Sequence, residues 1–101
     1  MLYQQGDVLI EKAREIPAGV KKKGDFVLVE GEVTGHAHRV MPQGDLITVY
    51  EKDGQLFVKA KKSFCVTHEE HKTIEVPDGT YRIRKVKEYD HFAEEAREVR
   101  D

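Results

Sequence analysis

Short runs of β-branched and aromatic residues recur along the chain, separated by turn residues. Runs of this length and composition are typical of β-strands. Two of the gaps carry an Asp-Gly pair, at Asp53-Gly54 and Asp78-Gly79, which is typical of tight hairpin turns. The runs lie at residues 7–11, 26–30, 46–50, 56–59, 64–67, 73–76 and 80–86. The pattern therefore predicts antiparallel strands joined by hairpins.

The end of the chain has a helical period instead. Phe92, Ala96 and Val99 form one narrow apolar stripe, and Asp90 can cap the helix. We predict an all-β fold over one domain, residues 1–101, as a small antiparallel β-barrel or sandwich of about seven or eight short strands. A short C-terminal helix at residues 89–101 would close it. Edge strands or this helix would support a homo-oligomer.

Composition restricts the site and the location of the protein. With one cysteine among 101 residues, Cys65, an internal disulfide is excluded and a reducing cytoplasm is predicted. The start of the chain has no pattern of a secretory signal, and no apolar run is long enough to span a bilayer. The net charge of −2 argues against a generic nucleic-acid-binding domain. A metal site here would need nitrogen and oxygen ligands.

Two histidine pairs provide such ligands. His36 and His38 share a face if the chain around them is extended. His68 continues the alternation of Phe64 and Val66, so it would enter the interior if those two residues face the core. Thr67 and Glu70 form a capping box that predicts one helical turn, which would bring His71 beside His68.

We predict that His36, His38, His68 and His71 hold one divalent ion, which could be zinc, iron, manganese, nickel or copper. Glu69 or Glu70 would be a fifth ligand or a catalytic general base, although capping accounts equally well for Glu70. The alternative is that the histidines are surface or hydrogen-bonded structural residues. Cys65 is interpreted as a packing residue and His91 as a surface residue.

Three arginines are candidates for binding a substrate. Arg39 follows the first pair, and Arg82 and Arg84 lie on a late strand. If they converge on the histidines, they would bind a small anionic substrate such as a phosphate ester or carboxylate. Solvated outward positions are the alternative for each.

An internal duplication is also indicated. Gln5-Gly6-Asp7 and Gln43-Gly44-Asp45 each precede an apolar run and then a Val-Thr-His or Val-Thr-Gly-His phrase.

Two family resemblances follow from these phrases. Residues 31–39 (GEVTGHAHR), 67–71 (THEEH) and 79–82 (GTYR) resemble small uncharacterised proteins of bacteria and phages, and this resemblance implies no activity. His36-Ala37-His38 is similar to the His-x-His pair of the cupin superfamily, and residues 77–79 (PDG) are similar to its Pro-x-Gly turn. In the cupin pattern a histidine would stand where this chain has Arg82. The cupin-like pattern implies a small barrel with inward-facing histidines.

The leading interpretation is a metal-binding small β-barrel protein. Three bound histidines would leave an open position for metal-dependent catalysis on a small anionic molecule, and the sequence leaves open whether there is catalysis. The alternative is a non-catalytic phage or mobile-element accessory module that binds a protein or nucleic acid through the basic strand at residues 82–87.

Overall fold

A computed structural model describes residues 2–30 and 35–85 of the chain. In this part all the regular structure is β: β1 (Leu2–Gln5), β2 (Val8–Lys12), β3 (Lys21–Lys22), β4 (Val27–Glu30), β5 (Ala37–Val40), β6 (Ile47–Lys52), β7 (Gln55–Ala60), β8 (Phe64–Thr67), β9 (Ile74–Val76) and β10 (Gly79–Lys85). The predicted all-β fold is confirmed. The helix predicted at residues 89–101 lies outside the described residues.

The strands form two antiparallel sheets rather than a closed barrel. One sheet has the order β1-β2-β10-β7-β6-β3, and the other has the order β4-β5-β8-β9. Alternate side chains of both sheets meet in one apolar core, which includes Ile10 and Ile83 from the larger sheet and Val40 and Val66 from the smaller one. Of the two predicted architectures, the sandwich is the one observed.

The two Asp-Gly pairs have different roles. Asp53 and Gly54 both have positive φ angles, 49° and 79°, as a two-residue hairpin between β6 and β7 requires. The second pair does not make a hairpin, because β9 and β10 belong to different sheets. There the chain crosses from one sheet to the other, and the Tyr81 hydroxyl donates a hydrogen bond of 2.8 Å to the Pro77 carbonyl.

Strand pairing brings the two histidine phrases to one end of the smaller sheet. β5 and β8 are antiparallel neighbours, with Arg39 opposite Thr67 and Val40 opposite Val66. The beginning of β5 therefore lies beside the end of β8. His36 directly precedes β5 and His38 is its second residue, while His68 and His71 follow the end of β8. Within the described ranges, no helix is long and apolar enough to cross a membrane.

Candidate metal centre

All four histidines of the two pairs lie together. The His68 ring is central, with its centroid 4.3 Å from that of His38, 4.6 Å from that of His71 and 5.8 Å from that of His36. Phe64 and Val66 are buried, as the predicted alternation requires, and His68 follows them at the rim of the core with a half-buried side chain. The predicted approach of the two phrases is therefore present in the structure.

Three of these histidines form the most compact set. His38, His68 and His71 each offer a ring nitrogen, and these nitrogens lie within 4.8 Å of one another. Zinc–nitrogen bonds of about 2.0–2.1 Å in a tetrahedron place ligand atoms roughly 3.3–3.4 Å apart. The nitrogens are therefore close enough for one ion, and the exposed His71 side chain can adjust its position by rotation. A second set, His36, His68 and Glu69, shares the His68 ring.

Gln5 fixes the tautomer of the neutral His38 ring. The Gln5 side-chain amide donates its hydrogens to the Val66 carbonyl at 2.8 Å and to the Lys72 carbonyl at 2.9 Å. Its Oε1 atom is therefore the end that faces His38 Nδ1, at 2.8 Å. Because an amide oxygen only accepts, Nδ1 must donate, and the lone pair of the neutral ring is on Nε2. The nitrogen that can hold a metal is thus Nε2.

Burial keeps His38 neutral. Only 2% of the residue is exposed. Burial is the main cause that lowers the pKa of His38 from 6.5 to about 4, and the neighbouring His68 lowers it further, against an opposing effect of Asp7. At neutral pH the His38 ring is therefore a neutral imidazole, the form that binds metals.

The turn between β1 and β2 forms one wall of the cluster. Gly6 has a φ of +58°, and a Cβ atom at this position would lie 2.6 Å from His71 Nε2. Only glycine combines this backbone conformation with such a close approach to an imidazole ring. Asp7 follows, with Oδ1 at 3.6 Å from His38 Nε2 and Oδ2 at 3.9 Å from Lys85 Nζ.

The segment after β8 is not the predicted helical turn. Residues 68–71 form bends, and the Glu70 backbone N–H donates a hydrogen bond of 3.0 Å to His68 Nδ1. The capping-box prediction is wrong because the side chains bond elsewhere. Thr67 Oγ1 donates to the Arg39 carbonyl at 3.5 Å, and Glu70 Oε2 lies 2.8 Å from His36 Nδ1. The imidazole of His68 thus accepts from the Glu70 N–H, which in a capping box would donate to the Thr67 hydroxyl.

Glu69 connects the segment after β8 to β5 through hydrogen bonds. Its Oε1 atom accepts a hydrogen bond of 2.9 Å from the Ala37 N–H, and its Oε2 atom accepts one of 2.7 Å from Arg39 Nη1. The bond from Arg39 is the main cause that lowers the pKa of Glu69 to about 2, with the Ala37 bond second. Such a carboxylate is a weak base at neutral pH. These contacts favour a structural role for Glu69 over the catalytic role predicted from the sequence.

The structure does not bring the three arginines together. Arg39 is beside the histidines, with its guanidinium bound to Glu69. Arg82 and Arg84 alternate with the buried Tyr81 and Ile83, so they project from the outer face of the larger sheet. There both pair with Glu11 of β2, and the bond from Arg82 is the main cause that lowers the pKa of Glu11.

Cys65 is a half-buried free thiol, and His91 lies outside the described residues.

Sequence reasoning missed the residues of the β1–β2 turn as part of this centre. Gln5, Gly6 and Asp7 each contact a histidine, yet they lie about 30 to 60 positions away in the sequence. The repeated Gln-Gly-Asp phrase was the one signal that singled them out.

Comparison with known proteins identifies a family for this chain but no ligand or reaction for the centre. No curated protein and no solved structure gives a significant match to the chain. One family model does match, over residues 4–86, which include every residue of the histidine cluster. The chain therefore belongs to the family described as a domain of unknown function (DUF8820).

Proposed function

We propose that this protein binds a divalent transition-metal ion through His38, His68 and His71. The observation that carries the proposal is the buried His38 ring, whose Nε2 lone pair is left free by the hydrogen bond between Nδ1 and Gln5. Imidazole groups whose second nitrogen donates to a fixed acceptor are the usual arrangement at protein metal sites. An imidazole set suits zinc, iron, nickel and copper, and manganese is the fifth candidate from the sequence.

Metal binding would change the state of His68. In the structure its Nδ1 atom accepts from the Glu70 N–H, so the neutral ring carries its proton on Nε2. Coordination at Nδ1 would displace the Glu70 N–H, and coordination at Nε2 would move the proton to Nδ1. Either way the Glu70 amide loses its acceptor, so its resonance is a local reporter of metal binding.

His36 and the acidic residues have supporting roles in this proposal. His36 pairs with Glu70, and Glu69 holds Ala37 and Arg39. Three histidine ligands leave a coordination position open, and an open position is what catalysis on a small anionic substrate would require. Catalysis and substrate binding by Arg39, Arg82 and Arg84 remain predictions from the sequence. So do the cupin-like relationship, the homo-oligomer, the accessory module and the cytoplasmic location.

The test is metal content of protein purified without a histidine tag, by elemental analysis, with zinc and nickel titrations. We expect His38→Ala and His71→Ala each to lose most of the metal and the double variant to be scarcely worse, since ligands of one ion act as a unit. His71 is exposed, so its variant should remain folded by circular dichroism. The Glu70 amide should exchange faster when zinc is added.

His91→Ala is the control, because the sequence places this histidine outside both pairs. Absence of stoichiometric metal, together with unchanged melting in zinc or nickel, would refute the proposal. Half the metal lost in each single variant and all of it in the double variant would instead indicate two separate sites.

A further inference from the structure

The carboxylate of Asp7 faces the Nε2 atom of His38, and neither residue places a hydrogen-bond donor between them. Asp7 Oδ1 lies 3.6 Å from His38 Nε2. The Nε2 atom carries a lone pair, because Nδ1 donates to Gln5. An ionised carboxylate oxygen also only accepts. Two acceptors at this separation have no proton to share, and a cation between them would satisfy both.

We propose that Asp7 is the fourth ligand of the metal, which completes a site of three imidazoles and one carboxylate. This inference rests on the proposed metal-binding function and assigns a ligand that the histidine pattern did not include. The separation of 3.6 Å is close to the roughly 3.3–3.4 Å between two ligand atoms of a tetrahedral zinc ion. Asp7 lies outside the set of His38, His68 and His71, whose ligand atoms are all within 4.8 Å of one another, so its carboxylate must move towards that set to bind the same ion. Half of the Asp7 side chain is exposed, which leaves it room to move.

Among the other candidate ligand atoms near the cluster, His36 Nδ1 and both Glu69 oxygens are already engaged, and Nε2 is the atom that remains to His36 as a possible ligand. His36 Nδ1 is paired with Glu70, and the two oxygens of Glu69 accept from Ala37 and Arg39. Within residues 2–30 and 35–85, the ionic contacts of Asp7 are with His38 and with Lys85, the latter at 3.9 Å and both side chains about half exposed. Such an exposed pair contributes little, so Asp7 can leave Lys85 at small cost.

A carboxylate in place of a fourth imidazole also defines the metals that fit. Carboxylate oxygen suits harder divalent ions, while the soft thiolate and thioether ligands that select copper(I) are absent from this set. The site should therefore prefer zinc, iron(II), manganese(II) or nickel(II) to copper(I).

Asp7→Asn tests the inference, because it removes the charge and keeps the shape of the side chain. Asp45→Asn is the matched control, since Asp45 occupies the same place in the second Gln-Gly-Asp phrase. We measure zinc affinity by competition with a chromophoric chelator and the visible absorption of the cobalt(II) form. Loss of a residue that only hydrogen-bonds a metal ligand costs about 10- to 100-fold in metal affinity. For the loss of a ligand itself we expect the upper end of that range, so Asp7→Asn should weaken zinc binding by about 100-fold and change the cobalt spectrum. Asp45→Asn should match the unmodified protein.

The outcomes separate this inference from the proposed function. If His71→Ala loses the metal while Asp7→Asn behaves like Asp45→Asn, the histidine site stands and Asp7 is not a ligand. Weaker zinc binding with an unchanged cobalt spectrum would also overturn ligation, because it would show a through-space effect of charge. If His71→Ala retains the affinity of the unmodified protein, the proposed function itself fails.

Discussion

The two Gln-Gly-Asp turns have the same sequence and similar glycine φ angles, yet only one is part of the histidine cluster. Gly6 and Gly44 have φ angles of +58° and +61°. Both glutamine amides donate to a carbonyl near one end of β8: Gln43 bonds the Ser63 carbonyl at 2.9 Å, and Gln5 bonds the Val66 carbonyl. Gln5 also bonds the Lys72 carbonyl, in the segment before β9. The phrase thus specifies a turn whose glutamine holds the same strand in both places.

The two Gln-Gly-Asp turns have different neighbours. Gln5 is 2% exposed and bonds His38, whereas Gln43 is only half-buried. A Cβ atom at Gly6 would meet the His71 ring, but one at Gly44 would meet nothing within 4 Å. A local phrase therefore determines a backbone conformation, and residues distant in sequence determine whether that conformation becomes part of a site.

The largest expected difference between the turns is in stability. Gln5→Met keeps much of the volume but leaves two carbonyls and His38 Nδ1 without their partner. Each lost bond to a buried group costs about 1–3 kcal/mol, so we expect a loss of about 4 kcal/mol. Gln43→Met removes one exposed bond and should cost about 1 kcal/mol or less. Urea denaturation in the presence of a chelator measures both, and equal losses would show that the buried network around Gln5 contributes nothing extra.

The next difference is in the response to acid. The pKa of His38 is about 4 in the folded protein and 6.5 when unperturbed, so the unfolded chain binds the proton first as the pH falls. Stability contributed by the neutral His38 is complete above pH 6.5 and is lost between there and about pH 4. The loss amounts to about 3 kcal/mol.

Denaturation of the metal-free protein across this pH range checks the expectation. His38→Gln, which carries no charge at any pH, should remove most of the slope, and Asp45→Asn in the second turn should leave it in place. A slope that persists in His38→Gln would assign the acid sensitivity to other groups.

The sequence predicted the all-β fold and the meeting of the histidines because both depend on patterns along the chain, and it left the choice between a barrel and a sandwich open. Alternation in β8 predicted that Phe64 and Val66 face the core, as they do, and that His68 enters the interior, whereas His68 lies half-buried at the rim of the core. The two histidine phrases needed only strand pairing between β5 and β8 to meet. Such local signals survive folding because one face of each strand is buried.

The remaining features depend on contacts that no local pattern encodes. The Pro-Asp-Gly phrase at residues 77–79 predicted a hairpin, but Val76 and Tyr81 are buried in different sheets. The Thr67–Glu70 capping box predicted a helical turn, but the imidazole of His68 competes for the Glu70 N–H. Gln5 and Asp7 became visible as site residues only when tertiary structure placed β1 beside the end of β8.

The smallest expected difference separates the two glycines. Gly6→Ala and Gly44→Ala both place a side chain in the left-handed region, which costs about 1–2 kcal/mol at each position. The new methyl group at Gly6 must also displace His71 Nε2, which would lie 2.6 Å from it. Because His71 is exposed, it can move with little further loss of stability, and the effect should appear in metal binding instead. We expect Gly6→Ala to weaken zinc binding about tenfold, equivalent to about 1.4 kcal/mol, and Gly44→Ala to leave it unchanged. Equal zinc affinities in the two variants, measured by chelator competition, would show that the position of the His71 ring against the β1–β2 turn is unimportant for binding.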